Sequence, residues 1–162
     1  MSAQQTGYTV EQVCRWTGAK PQTLLYWVRT GLVRASVRHT RRQRQALLFA
    51  FPDLLRAGVI QELRARARVP LQRIRTALRY LDEKLPAEYR ELFDLGSALP
   101  KDLREGAVYL DVSGEDIVIR RGKEALSAVR RPGQLVLVWV DLAAVRRELA
   151  AKVGAGAGSH VS

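Results

Sequence analysis

The chain has 162 residues, of which 47% are apolar, so it can form one ordinary domain or two small ones and is not broadly disordered. No apolar run approaches the roughly 18 residues of a membrane span, and we see no signal peptide at the N-terminus. The single cysteine, Cys14, excludes an internal disulfide and a cysteine-rich metal site. We therefore expect a cytoplasmic protein without a membrane partner.

The net charge of +11 is concentrated in one half of the chain. Residues 1–80 carry 15 Lys and Arg against 3 Asp and Glu, whereas residues 81–162 carry 12 against 13. Of the 15 cations, 14 are arginine, whose planar fork matches phosphate and the guanine edge. This asymmetry favours nucleic acid as the partner. An anionic membrane surface and the arginine-rich composition of a GC-rich genome are the alternatives.

Two short helices, about 10–22 and 20–30, are predicted near the N-terminus. Thr9 and Gln12 have the spacing of a capping box, which marks the start of a helix. Gly18 can adopt the left-handed conformation that ends a helix, so a tight turn is expected there. The pattern is that of a helix-turn-helix.

A β-wing is predicted between Leu32 and Phe51. Val33 to Val37 alternates apolar and polar residues, and Ala46–Phe51 is a continuous apolar run. The intervening segment, HTRRQRQ, is strongly basic. Two short strands with a basic tip between them fit this pattern.

Two more helices follow. Pro52 and Asp53 suit the first turn of a helix over roughly 52–66. Pro70 opens the next helix, which runs to about Lys84. We expect the arginines at the end of the third helix (Arg64, Arg66 and Arg68) to form a solvated or phosphate-facing rim. We expect those of the fourth helix (Arg73, Arg75 and Arg79) to point to solvent or to a partner.

The second half of the chain is predicted to form a smaller unit. A hairpin of strands at Ala107–Val112 and Asp116–Arg121 precedes the apolar strand LVLVWV, which ends at Val140, and an amphipathic helix over 142–153. The fold class is therefore α+β, a winged helix-turn-helix of four helices and a β-wing followed by a small α/β unit. The predicted divisions are a DNA-binding domain at 8–84, a connector at 85–106, a dimerisation or partner-binding unit at 107–153, and a disordered tail at 154–162.

The first half resembles the DNA-binding domain of the MerR transcriptional regulators. That family shows an aromatic residue, a capped helix, a TG turn, a proline, a TL–Y–W/Y stretch and a GL pair. The matching positions here are Tyr8, Thr17–Gly18, Pro21, Thr23–Leu24, Tyr26–Trp27 and Gly31–Leu32. The sequence departs from the family at Leu25, where arginine is frequent, and at Ala46–Leu47 and Phe49. The DNA contacts are therefore not expected to be the standard ones.

The resemblance implies that the second helix enters the major groove. Lys20, Gln22 and Thr23 would then lie at base edges, and Tyr26 and Arg29 would reach phosphates. The expected contacts of the wing tip with the DNA backbone or minor groove come from Arg38, His39, Arg41, Arg42 and Arg44.

No catalytic constellation can be assembled from the sequence. His39 and His160 are the only histidines, and Cys14 is expected to be a small core residue. We predict no enzyme, no cofactor and no metal. The predicted function is a sequence-specific regulator that binds double-stranded DNA as a homodimer on an inverted repeat. An antitoxin-like protein whose C-terminal unit grips a protein partner, and an architectural or excisionase-like DNA-bending factor, are the alternatives.

Overall fold

A computed structural model describes residues 7–37, 47–96, 99, 101, 103, 108–112, 117–121 and 139–158. Within these residues helices predominate over short strands, and the α+β class is confirmed. The elements in chain order are β1 (Tyr8–Thr9), α1 (Val10–Thr17), α2 (Pro21–Arg29), β2 (Leu48–Phe49), α3 (Phe51–Gln61), a turn of π-helix (Glu62–Arg66), α4 (Leu71–Glu83), a 3-10 helix (Ala87–Phe93), β3 (Val108–Asp111), β4 (Val118–Arg121), β5 (Trp139–Asp141) and α5 (Leu142–Gly158).

The start of α1 is the predicted capping box. The backbone N–H of Gln12 donates to Thr9 Oγ1 at 3.2 Å, and the backbone N–H of Thr9 donates to Gln12 Oε1 at 3.0 Å. The helix ends at Thr17 and not near residue 22, so the predicted end was wrong. Gly18 lies at φ 82° and its N–H donates to the Cys14 carbonyl at 2.9 Å, which stops the helix and turns the chain toward α2.

The third and fourth helices were predicted well. α3 and the π-helical turn together cover residues 51–66, and α4 begins directly after Pro70 and ends at Glu83. Pro52 stands in the first turn of α3, where its missing N–H costs nothing.

The base of the wing differs from the simple hairpin that the sequence predicts. β2 pairs with β1 in an antiparallel register, with Tyr8 opposite Phe49 and Thr9 opposite Leu48. On the other side, the Val37 N–H donates to the Leu48 carbonyl at 3.2 Å, but residues 32–37 do not form a strand. The short N-terminal strand takes one edge of β2, a long-range pairing that the local pattern does not contain. The basic segment 38–46 lies outside the described residues.

The buried carboxylate of Asp53 fixes both flanks of the wing. Asp53 Oδ2 accepts the backbone N–H of Ser36 at 3.1 Å, the Ser36 hydroxyl, and the backbone N–H of Ala50 at 2.8 Å. Only 8% of Asp53 is exposed. The first turn of α3 therefore holds the chain on either side of the segment from Val37 to Leu47.

The C-terminal strands form a three-stranded antiparallel sheet in the order β4–β3–β5. The predicted pairing of the two hairpin strands is confirmed, with Leu110 opposite Ile119, and β5 pairs on the other side with Leu110 opposite Val140. Asp111 and Arg120 form a salt bridge at 3.1 Å on this sheet. β5 contains the last two residues of the predicted strand LVLVWV; the preceding four are outside the described residues.

The last helix packs against the N-terminal helices. Gly58 of α3 brings α5 so close that a Cβ there would lie 2.9 Å from Leu149 Cδ1 and 3.1 Å from Val145 Cγ1. Lys152 Nζ donates to the Trp16 carbonyl at 2.9 Å. One continuous apolar core thus runs from Tyr8 to Leu149.

The helix also extends further than predicted. α5 continues to Gly158, so the prediction of disorder from residue 154 was wrong for 154–158. Gly156 lies against the Trp16 ring, where an added Cβ would be 3.2 Å from Cζ2. Tertiary contact with α1 supports a glycine-rich turn whose own helix propensity is low.

Candidate nucleic-acid interface

The solvent face of α2 carries four residues at helical spacing. Gln22, Leu25, Tyr26 and Arg29 stand at i, i+3, i+4 and i+7, and all four are exposed. Leu25 is 40% exposed and Tyr26 is 44% exposed. This α2 face is defined by those four residues.

The opposite side of α2 anchors the helix in the core. Leu24 is fully buried and Trp27 is 2% exposed, so both are core residues. Val28 packs against the same core and is half-buried. Because the inward residues are fixed by packing, the α2 face is held rigidly toward solvent.

The N-terminus of α2 is open to an anionic partner. Lys20 is the N-cap residue, is exposed, and makes no side-chain capping hydrogen bond. Pro21 begins the helix and Thr23 is half-buried in its first turn. The positive end of the helix dipole and the Lys20 ammonium both favour negative charge here.

Two arginines fix the chain just after α2. Arg56 Nε donates to the Leu32 carbonyl at 2.6 Å, and its guanidinium also pairs with Asp82, with Nη2 donating to Oδ2 at 3.1 Å. Arg75 Nη1 donates to the Thr30 carbonyl at 3.3 Å. α3 and α4 therefore hold the C-terminal end of α2 in place.

The fourth-helix arginines divide into internal and surface residues. The prediction that Arg73 and Arg75 point to solvent or to a partner was wrong: Arg73 Nε donates to the Val112 carbonyl at 3.2 Å, and Arg75 binds Thr30. Both are half-buried, since Arg73 reaches the residue after β3 and Arg75 the residue after α2. Arg79 is exposed, as predicted.

The predicted rim at the end of α3 is exposed. Arg64 donates to the Val69 carbonyl at 3.3 Å, and Arg66 pairs with Glu62 at 3.3 Å. Arg68 has a positive φ of 52° in the turn before α4. These cations lie at the surface, and the Glu62 carboxylate offsets part of their charge.

The remaining predicted residues are partly outside the described chain. All five wing-tip residues, Arg38, His39, Arg41, Arg42 and Arg44, are outside it.

Cys14 is half-buried against the core, and burial raises the pKa of its thiol. The described residues contain no cluster of three or more His, Cys, Asp or Glu that could hold a metal ion.

Sequence reasoning treated Leu25 only as a departure from a family pattern. In the structure this side chain lies beside Gln22, Tyr26 and Arg29 and belongs to the same surface. Helical periodicity would have found it, because Leu25 is three residues after Gln22. Arg34, exposed just after α2, was also missed, and no local motif marks it.

α1, the turn at Gly18 and α2 form a helix-turn-helix, the arrangement typical of a class of DNA-binding proteins. The family model of the MerR HTH family regulatory proteins matches residues 8–81. The match identifies this part of the chain as a MerR-type helix-turn-helix region, and it supports a DNA-binding transcription regulator. The match to a family of regulators also supports a function other than catalysis. No curated protein matches the chain significantly.

None of the described helices is both long and apolar enough to span a membrane.

Proposed function

We propose that this protein binds double-stranded DNA sequence-specifically as a homodimer on an inverted repeat. Residues 8–84 bind DNA, residues 85–106 connect, and residues 107–153 form the dimer. The observation that carries the proposal is the α2 face, whose exposed side chains project from a helix with a buried opposite side. A helix presented in this way fits the major groove, which is about 12 Å wide. We further propose that the protein acts in the cytoplasm, on nucleoid DNA.

The N-terminal residues of α2 read base edges in this proposal. Lys20 reaches guanine, and Gln22 binds adenine through its amide oxygen and nitrogen. Thr23, which is half-buried, contacts a neighbouring base edge, guanine or adenine. Tyr26 and Arg29 donate to phosphates and fix the register of the helix. Leu25 supplies an apolar surface for a thymine methyl group, which replaces the charged contact that arginine makes in other family members.

The basic segment after Val37 supplies the second contact. Asp53 holds the two flanks of the segment through Ser36 and Ala50. Arginine favours a narrow minor groove, where the negative potential is strongest. The side chains proposed for this contact are Arg38, His39, Arg41, Arg42 and Arg44.

Dimerisation is proposed through the sheet edge at β5. The apolar side of α5 packs on α3 of its own chain, through Val145 and Leu149 against Gly58, so this side is already occupied. β5 pairs with β3 on one side, and an antiparallel partner strand could extend the sheet on the other. The DNA-binding domains of the two subunits would then contact two half-sites at a fixed spacing.

Selection from a randomised duplex library, at a salt concentration of about 150 mM, tests the proposal. An enriched inverted repeat with one spacing is expected, together with a dimer by light scattering at micromolar concentration. A Lys20→Ala/Gln22→Ala variant should lose base preference within each half-site, whereas the control Arg79→Ala should keep it. Binding with no enriched motif would instead favour an architectural factor, and a monomer would contradict the dimer.

A further inference from the structure

A cavity of about 570 Å³ opens between the start of α3, the end of α4 and the 3-10 helix. Small-molecule sites in proteins usually measure roughly 300–1,000 Å³ and combine an apolar wall with a few polar groups. The apolar part of this wall comes from Pro52, Leu81, Leu85 and Phe93. The cavity therefore has the size and the lining of a ligand site.

The charged part of the wall has an unbalanced excess of arginine. Arg56 and Asp82 form a salt bridge with each other, so their charges are matched. The carboxylate of Asp53 already accepts from Ser36 and Ala50. Arg34 and Arg90 also line the cavity, and among the described residues neither forms an ion pair or a hydrogen bond through its side chain.

We propose that this cavity binds a small organic acid, a ligand with one carboxylate and an apolar body. The carboxylate pairs with the guanidinium groups of Arg34 and Arg90, whose planar forks match its two oxygens. The apolar body packs on Leu85 and Phe93, which removes apolar surface from water.

Two residues of the cavity wall also bind the parts of the chain that are proposed to contact DNA. Arg56 holds the Leu32 carbonyl just after α2, and Asp53 holds the two flanks of the basic segment. A ligand held by Arg34 and Arg90 lies in the cavity whose wall also contains Arg56 and Asp53, and so acts on the end of α2 and on the base of the wing. Occupancy therefore changes the affinity for DNA, and this second part rests on the proposed function.

Calorimetric titration of the purified full chain with benzoate, 1-naphthoate and octanoate tests the site. We expect at least one of these acids to bind with one site per chain and a dissociation constant below about 1 mM. The neutral analogue 1-naphthalenemethanol tests the need for the carboxylate, and inorganic phosphate tests the need for the apolar body. Both should bind roughly tenfold more weakly or not at all.

Charge reversal locates the site. Arg90→Glu should weaken binding of the acid by roughly tenfold or more, whereas Arg79→Glu, an exposed arginine of α4 outside the cavity, should leave it unchanged. No binding of any of the three acids at about 1 mM, or equal binding by both variants, would overturn the proposal.

The effect on DNA is measured separately, with a duplex recovered from the library. Addition of the acid should change the affinity of the wild type for this duplex by about fivefold or more and leave the affinity of Arg90→Glu unchanged. If the acid binds at the cavity but the affinity for DNA stays constant, the ligand site is confirmed and the proposed effect of the ligand on DNA binding is contradicted. If no duplex is bound at all, the proposed function fails while the titration result remains valid.

Discussion

Arg56 in α3 donates from Nε to the carbonyl oxygen of Leu32 at 2.6 Å, and the same guanidinium pairs with Asp82 in α4. One side chain thus joins the loop after α2 to two helices of the core. The Arg56 side chain is 22% exposed, so these hydrogen bonds form in a partly desolvated environment. The position of α2 depends on this junction as well as on its own buried face.

Replacement of Arg56 by methionine should destabilise the fold by about 1–3 kcal/mol, because the Leu32 carbonyl loses its charged donor. The midpoint of urea unfolding measures this change. Arg79→Met, at an exposed position of α4, serves as the control and should fall within about 0.5 kcal/mol of the wild type. Equal stability of the two variants would show that the junction is not needed.

Asp53→Ala should remove the acceptor for Ser36 and Ala50 at once. We expect a loss of about 2–4 kcal/mol, since several donors in a partly buried place lose a charged acceptor. Hydrogen exchange should show faster exchange at the amides of Ser36 and Ala50. Glu83→Ala, an exposed carboxylate at the end of α4, is the matched control and should not alter exchange at these amides.

Gly58→Ala tests how closely α5 packs on α3. Alanine has the higher helix propensity by about 1 kcal/mol, but its Cβ would overlap Leu149 and approach Val145, whose branched side chain is stiff. Overpacking usually costs about 1–3 kcal/mol, so we expect a net loss of stability.

The matched control for this change is Gly154→Ala in α5. No atom lies within 4 Å of an added Cβ at that position, so only the helix propensity changes. This variant should be more stable than the wild type by up to about 1 kcal/mol. A stabilised Gly58→Ala variant would show that α5 can move away from α3 at little cost.

Leu25→Ala tests the proposed apolar contact with DNA. Leu25 is exposed, so the change should leave the free energy of unfolding nearly unaltered. It should weaken binding to a selected duplex by about 1 kcal/mol, which is the free energy of burying one or two methyl groups. Fluorescence anisotropy with a labelled duplex measures the affinity.

A double-mutant cycle locates the contact. Thymine in each half-site is replaced by uracil, which lacks only the methyl group. At the contacted thymine, the uracil change should weaken the wild type but have little further effect on Leu25→Ala, because the two changes remove the same contact. Additive losses at every thymine would contradict the proposed role of Leu25.

Local signals in the sequence were sufficient for most helix boundaries. Thr9 and Gln12 determine the start of α1, and Gly18 ends it through a single backbone conformation. Pro21, the first residue of α2, and Pro70, directly before α4, likewise mark helix starts. These features depend on neighbours three or four residues apart, so a linear pattern contains them.

Long-range contacts could not be predicted from the same patterns. The partners of Arg73 and Arg75 are carbonyl groups 39 and 45 residues away in sequence, Val112 and Thr30, so both arginines looked like surface charges. The pairing of β1 with β2 joins two-residue strands that are too short to give a periodic signal. The end of α5 is helical because Trp16 lies against Gly156, a contact between opposite ends of the chain.

Whether the α2 face reads DNA sequence is measured by the ratio of two affinities. The purified full chain is titrated into the duplex recovered by selection and into a scrambled duplex of the same composition, at about 150 mM salt. The selected duplex should bind roughly a thousandfold more tightly, and Lys20→Ala/Gln22→Ala should reduce this ratio by at least about tenfold. Equal affinity for the two duplexes, or a ratio unchanged in the variant, would contradict sequence reading by the α2 face.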